Sequence, residues 1–158
     1  MKALNSSQFH ILENVPDEVV ERLRREVQPR DLAKGEVVYQ KGDLSDDFYF
    51  LISGKAQLQV ENEEGVTVIL GILKVGYCFG MTGLFPDTPR QHTVVCDGPC
   101  RVAVISGHDL RAILEYEGGL GLPLLWNLFK LVKDRLDLRT DQLVRVLATH
   151  PDLSKLRV

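Results

Sequence analysis

Phe79-Gly80-Met81-Thr82-Gly83-Leu84-Phe85-Pro86-Asp87-Thr88-Pro89-Arg90-Gln91-His92-Thr93-Val94 (FGMTGLFPDTPRQHTV) is the stretch on which the fold turns. Gly80 and Gly83 bracket a two-residue step, which leaves backbone amides uncovered by side chains. Leu84 and Phe85 can anchor one helical turn in a core. The start of even one turn offers unpaired N–H groups and a positive dipole end, which suits an anion. Arg90 follows at the mouth of a strand, where its planar fork can grip two oxygens of one phosphate. The competing reading of the same spacing is a surface ion pair from Arg90 to Asp87, with the glycines serving turns alone. The glycine spacing matches neither GxxxxGK[ST] nor GxGxxG, so a P-loop or a dinucleotide fold fits poorly.

Outward from this stretch, residues from about Arg30 to Ser106 read as strands. Glycines at 35, 42, 54, 65, 71, 76, 80, 83 and 98 punctuate short runs rich in Val, Ile, Phe and Tyr. That is the pattern of many short strands joined by tight turns, as in a roll, barrel or sandwich. The expected strands are 36–40, 47–52, 56–61, 67–73, 92–96 and 100–105. Asn62–Gly65 (NEEG) is a hairpin turn in which Gly65 takes positive φ. Gly42 and Gly54 mark two further turns.

Helical period flanks the strands. Val19, Val20, Leu23 and Val27 recur at helical spacing over residues 16–28, with Pro16 near the start and Asn14 a candidate cap. A short helix is expected over 108–116 and a long one over 122–147. In the latter, Leu122, Phe129, Leu136 and Leu143 repeat every seven residues. Leu125, Val132 and Val146 fill the positions three later, with Arg139 the one polar member. Leu124, Leu128, Leu131 and Leu138 make a second apolar face. A helix apolar on two sides must be covered on two sides. One face can pack on the strands; the other is met most economically by its copy in a homodimer, the alternative being burial within a monomer.

With these elements in place, residues from about 16 to 147 resemble the cyclic nucleotide-binding domain of the catabolite-activator and protein-kinase-regulatory-subunit superfamily. The resemblance rests on Gly42-Asp43, on Ile52-Ser53-Gly54, and above all on Phe79-Gly80 followed at fixed spacing by Thr88-Pro89-Arg90 and Thr93-Val94. The long closing helix with Arg135-Leu136 and Thr140 also fits. The resemblance implies a mainly β fold with flanking helices: a double-stranded β-helix, or jelly-roll-like β-roll, with a short N-terminal helix and a long C-terminal dimerisation helix. The whole chain, 1–158, is then one domain, with the roll over about 30–106. The stretch at 79–94 would be the phosphate-binding cassette. Arg90 stands at the phosphate arginine, and Phe79, Gly80, Thr82, Gly83 and Leu84 stand in the cassette turn. Arg135 and Thr140 are the polar candidates on the helix that would lid the base.

Two departures bear on the ligand. Met81 stands where the family pattern has a glutamate that accepts a ribose hydroxyl, and a thioether cannot do so usefully. Loss of a hydrogen bond to a charged group means roughly ten- to more than hundredfold in affinity. Gln91 and His92 follow the arginine where small residues are usual; Gln91 can donate to a phosphate, and His92 either crowds the pocket or points away. The cassette therefore keeps its phosphate half and loses its ribose half. It binds cAMP or cGMP weakly, or takes a different anionic ligand, or is silent.

Composition narrows the remaining classes. The chain has 158 residues and a net charge of −3, with 19 Lys+Arg against 22 Asp+Glu. A chain of this size buries roughly 70% of its unfolded surface and needs no disulfide staples. The absence of a basic surplus argues against direct DNA binding. Cys78, Cys96 and Cys100 form no CxxC pair, and an odd count fits a reducing compartment. His10, His92, His108 and His150 fall at no metal-ligand spacing. Trp126 is read as packing rather than stacking on a base. Asp46-Asp47 has no partner carboxylate for acid–base work, so no enzyme and no cofactor are expected. Neither a signal peptide nor a membrane span is readable, and the cytoplasm is the expected address. Only eleven residues follow Leu147, too few for an appended DNA-binding domain, so the output is expected to pass to a separate, unknown protein partner, the alternative being that the sequence is a piece of a longer chain. The two functions weighed are a non-catalytic ligand-sensing module and a degenerate domain serving as a dimerisation or protein-interaction scaffold.

Overall fold

A computed structural model describes residues 4, 6–44 and 46–149. Residues 150–158, with the candidate His150, lie outside them. The chain runs through helix α1 (Asp17–Glu26) and eight strands: β1 (Gln28–Leu32), β2 (Val37–Tyr39), β3 (Asp47–Ser53), β4 (Ala56–Glu61), β5 (Thr67–Leu73), β6 (Cys78–Phe79), β7 (Thr93–Cys96) and β8 (Cys100–Ser106). Helices α2 (Gly107–Leu114) and α3 (Leu122–Thr149) close it. The strands form two antiparallel four-stranded sheets, ordered β1-β8-β3-β6 and β2-β7-β4-β5. Two facing sheets between an N-terminal and a long C-terminal helix are the β-roll that the sequence implied.

The alternation of β3 shows why the roll has two cores. Phe48 and Phe50 face one way, into a cluster with Val19, Leu23, Leu110, Ile113, Leu124 and Leu128 from the three helices. Tyr49 and Leu51 face the other way, between the sheets, with Tyr39, Phe79, Val94 and Val102. A strand covered on both faces reads as an unbroken apolar run, which is what Phe48–Ile52 is. Burying each of these side chains is worth about 1.5–3 kcal/mol.

Helix α1 places Asp17 and Glu18 in its first turn and Arg24 and Arg25 in its last, in line with its dipole. Its N-cap is Pro16, with no side-chain cap bond. Asn14 does not cap it; that residue holds a left-handed turn conformation at φ 55°, a role for which asparagine is also suited. In α3, Leu124 and Leu128 are buried and Leu131 packs partly against the helix-side core. Leu138 is exposed, contrary to the second apolar face expected of it, because the helix by then has run past the residues that cover its first turns. Asn127 fixes the start of that helix by donating to the carbonyls of Ile11 (2.9 Å) and Glu13 (2.8 Å).

Helix α2 carries the cassette. Ser106 caps it by accepting from the Asp109 amide at 3.0 Å. Gly107 donates to the Asp46 carbonyl at 2.6 Å. A Cβ at Gly107 would sit 1.7 Å from the Gly83 carbonyl oxygen, so only glycine lets the cassette turn lie against the start of α2.

Candidate ligand-binding site

The residues Met81–Leu84 form a single 3-10 turn, entered from β6 through Gly80 at φ 80°. A Cβ there would lie 2.9 Å from both the Asp47 carbonyl and the Tyr49 ring. Gly80 is thus required both by its left-handed backbone and by the closeness of β3. Phe79, just before it, is buried and stacks on Tyr49 at 5.0 Å between ring centres, with 10° between planes.

Arg90 lies on this aromatic bed and is only 1% exposed. Its Nη1 donates to the Gly80 carbonyl (2.9 Å) and to Thr82 Oγ1 (3.0 Å), and its Nη2 to the Asp47 carbonyl (2.5 Å). The guanidinium carbon stands 4.4 Å from the centre of the Tyr39 ring and 5.9 Å from that of Tyr49, within cation–π range. Its backbone is tied down as well, donating to Asp43 O and accepting from Gly42 N, both at 2.8 Å. Arg90 is therefore no surface partner of Asp87. Its fork binds the cassette turn to β3, and the charge is offset by carbonyl dipoles and ring faces. Burial pushes the Tyr39 hydroxyl up to about 12, against the pull of Arg90.

The other candidates fall into three groups. Met81 and Leu84 are half-buried against the helix-side core, and the Leu84 carbonyl accepts from Arg111 Nη1 at 3.0 Å. Gly83 is buried within the turn. Gln91 is exposed and donates to the Pro89 carbonyl at 3.2 Å. His92 is half-buried, and burial first, then the nearby Arg139 and Lys41, hold its pKa below the ordinary histidine value. On α3, Arg135 is half-buried and donates to the Cys78 carbonyl at the strand that feeds the cassette. Burial lowers its pKa. Thr140 is exposed, and its hydroxyl donates to the Leu136 carbonyl of its own helix at 2.9 Å.

The structure thus gathers Phe79, Gly80, Thr82 and Arg90 into one cluster, sets Met81 and Leu84 behind it, and leaves Gln91 and Thr140 outside it. Three contributors were missed in the sequence: the Asp47 carbonyl, the ring of Tyr39, and Arg139. The last had a signal, since an arginine interrupting an apolar heptad stripe needs a polar partner. It finds one in the Leu70 carbonyl at 2.7 Å.

Two of the cavities are relevant, although neither is lined by Arg90 or by the 3-10 turn. One, of about 660 Å³, is lined by Gln40, Lys41, Gly42, Gln59 and Thr93 among others. The second, of about 420 Å³, lies between Ile11, Tyr77, Cys78 and the α3 residues Asn127, Leu131 and Arg135. Among the described residues no group of three His, Cys, Asp or Glu side chains could hold a metal ion. Cys78, Cys96 and Cys100 are buried free thiols, and burial pushes Cys78 and Cys96 up to about 12. No described helix is long and apolar enough to cross a membrane.

Comparison with known proteins agrees with this geometry. The catabolite activator protein of Thermus thermophilus superposes with a TM-score of 0.75 at 22% identity, covering 87% of this chain and 62% of that one. A cyclic nucleotide-binding domain from Methylobacillus flagellatus KT gives 0.78 at 18% identity, over 89% and 82%. In sequence, the cAMP-activated global transcriptional regulator Vfr of Pseudomonas aeruginosa is 30% identical over 111 residues, 68% of this chain and 50% of Vfr. The cAMP-dependent protein kinase regulatory subunit of Yarrowia lipolytica is 34% identical over 80 residues, 51% of this chain and 20% of that protein. The chain therefore spans between a fifth and a half of these curated relatives. The family model for the cyclic nucleotide-binding domain matches residues 29–117, from β1 through the cassette to the end of α2, and the chain belongs to that family.

Proposed function

We propose that the protein is a non-catalytic, cytoplasmic ligand-sensing module. It takes cAMP, cGMP or a related phosphate ligand at the cassette and passes the event on through α3 as a homodimer. The observation that carries the reading is the cassette itself: Phe79-Gly80, the 3-10 turn and Arg90 in one cluster, with Arg135 of α3 donating to the Cys78 carbonyl just before it. A phosphate entering there must compete with the Gly80 and Asp47 carbonyls and Thr82 for the Arg90 fork. With Met81 supplying no acceptor for a ribose hydroxyl, binding is weak.

The dimer rests on the outward stripe of α3. Leu122, Phe129, Leu136 and Leu143 are each more than half exposed, and Trp126 stacks on Phe129 at 5.7 Å between ring centres rather than entering the core. A helix with an uncovered heptad stripe is supported best by its own copy. Two-fold pairing of the Leu122–Leu147 segment covers these side chains without a second kind of partner.

A second reading has its own observation. Burial of Arg90 among protein acceptors, together with Met81, suits a dimerisation or protein-interaction scaffold with a vestigial pocket. Thermal melting with cAMP and cGMP separates the two. At a hundredfold excess over Kd, a ligand adds about 2.7 kcal/mol, roughly 5–10 °C for a chain of this size. Met81→Glu enlarges the shift at a fixed ligand concentration if the cassette binds. A flat melt for both the natural chain and Met81→Glu favours the scaffold.

A further inference from the structure

The cavity of about 420 Å³ beside α3 holds cations with no counter-charge, and neither Arg90 nor the cassette turn lines it. Three pieces of chain enclose it: the turn at His10–Leu12, residues 76–78, and one face of α3. On α3 that face presents Asn127, Leu131, Arg135 and Leu138, at intervals of four, four and three residues, which is one side of a helix. The floor is apolar. Ile11 and Cys78 are buried in the helix-side core, and Leu131 packs partly against the same core. The cavity therefore belongs to the helix side of the molecule and not to the space between the sheets, where Tyr39, Phe79 and Val94 cluster. Tyr77 and Leu138 also line it and are 46% and 54% exposed, large side chains left open to water. Arg135 is half-buried, and its one hydrogen bond goes to the Cys78 carbonyl, so the rest of its fork has no partner among the described residues. No described carboxylate forms an ion pair with Arg135 or with Lys130, the other cation of α3 on this cavity. The two acids that line it are already engaged: Glu13 Oε1 is 2.5 Å from His10 Nδ1, and Asp134 Oδ1 is 3.9 Å from Lys133 Nζ.

We propose that this groove between α3, the His10–Leu12 turn and the entry to β6 is a second ligand site, for a small monocarboxylic acid with an apolar body such as a medium-chain aliphatic acid. Its volume falls within the range of small-molecule sites, about 300–1,000 Å³. Ile11, Leu131, Tyr77 and Leu138 cover a hydrocarbon body, and each methylene taken from water tightens binding about fourfold. The carboxylate meets the N–H groups of Arg135 that Cys78 leaves free, and Lys130 adds a point charge. An anion there also offsets the cost of holding a guanidinium half-buried without a counter-charge. A monoanion fits better than a phosphate. Glu13 and Asp134 repel each further negative charge, and an apolar floor penalises a dianion more. The site goes beyond the cassette reading, because it uses neither Arg90 nor Met81–Leu84.

The test is calorimetric titration of the natural chain with sodium octanoate, with backbone amide NMR shifts to place the binding. One octanoate per chain is expected, with shifts at Ile11, Tyr77, Cys78, Leu131 and Leu138. Hexanoate, shorter by two methylenes, should bind about tenfold more weakly. Octanol has the same chain without the charge and should bind at least about tenfold more weakly, as should octanoate to Arg135→Gln, each losing a charge-assisted bond. Leu138→Glu changes an exposed position, so folding is not at stake, and sets a like charge in the wall. It should weaken octanoate at least about tenfold. No saturable heat up to about 10 mM octanoate overturns the proposal. So do equal affinity for octanol, unchanged affinity in either variant, and shifts confined to residues 79–94. Titration of the same sample with cAMP keeps the two readings apart. Octanoate binding without cAMP binding supports this site and sinks the cassette function. Binding of cAMP without octanoate does the reverse. Simple competition between the two places the acid in the cassette and overturns the separate site.

Discussion

The cassette and the outward face of α3 are opposites. In the cassette a charged side chain is buried: Arg90 bridges Gly80, Thr82 and Asp47 on a bed of aromatic rings. On α3, apolar side chains that ought to be buried stand in the open, from Leu122 to Val146. The proposed sensing module would use this division: a site closed within the chain can be perturbed by a ligand, while an exposed apolar face that pairs with a copy can report it. Arg135 of α3 reaches from one toward the other. Arg135 holds the Cys78 carbonyl just before the cassette and Arg139 holds Leu70, while Arg139 also belongs to the heptad stripe.

The sharpest way to break the contrast is on the open side. Leu136→Glu sets two carboxylates against each other in the paired helix. It should weaken the dimer about a thousandfold, since buried like charges cost several kcal/mol. Sedimentation of the natural chain should give twice the monomer mass and the variant the monomer mass. A natural chain that sediments as a monomer contradicts the dimer. On the closed side, Arg90→Ala strips three acceptors of their donor and empties a buried volume. Loss of about 3 kcal/mol is expected in denaturant unfolding. An unchanged midpoint would show that Arg90 does not hold the cassette to β3. The smallest effect tests the platform beneath it. Ser106→Ala removes the cap of α2 and should cost about 1 kcal/mol, with the same sedimentation as the natural chain.

Most of the fold was legible, and the exceptions have physical reasons. The short apolar runs of β3, β4 and β5 and the glycine turns at 42, 54 and 65 marked those strands closely. The first strand was missed because Gln28–Leu32 (QPRDL) is polar and largely exposed, and it exists as a strand through its register with β8. The sixth was missed because two residues carry no period. At the site, the family resemblance singled out Arg90, but not the direction of its side chain. What turns it inward is a carbonyl 43 residues away in sequence and a tyrosine from β2, contacts that exist only once the sheets have closed. His92 was read as either crowding the pocket or pointing away; the structure leaves it half-buried in the bend before β7.

The most direct measurement is calorimetric titration of the natural chain with cAMP and with cGMP near neutral pH. A saturable isotherm with one ligand per chain, tightened at least about tenfold in Met81→Glu as a restored charged hydrogen bond requires, is the predicted result. Flat heats for both nucleotides, in the natural chain and in Met81→Glu alike, would contradict it.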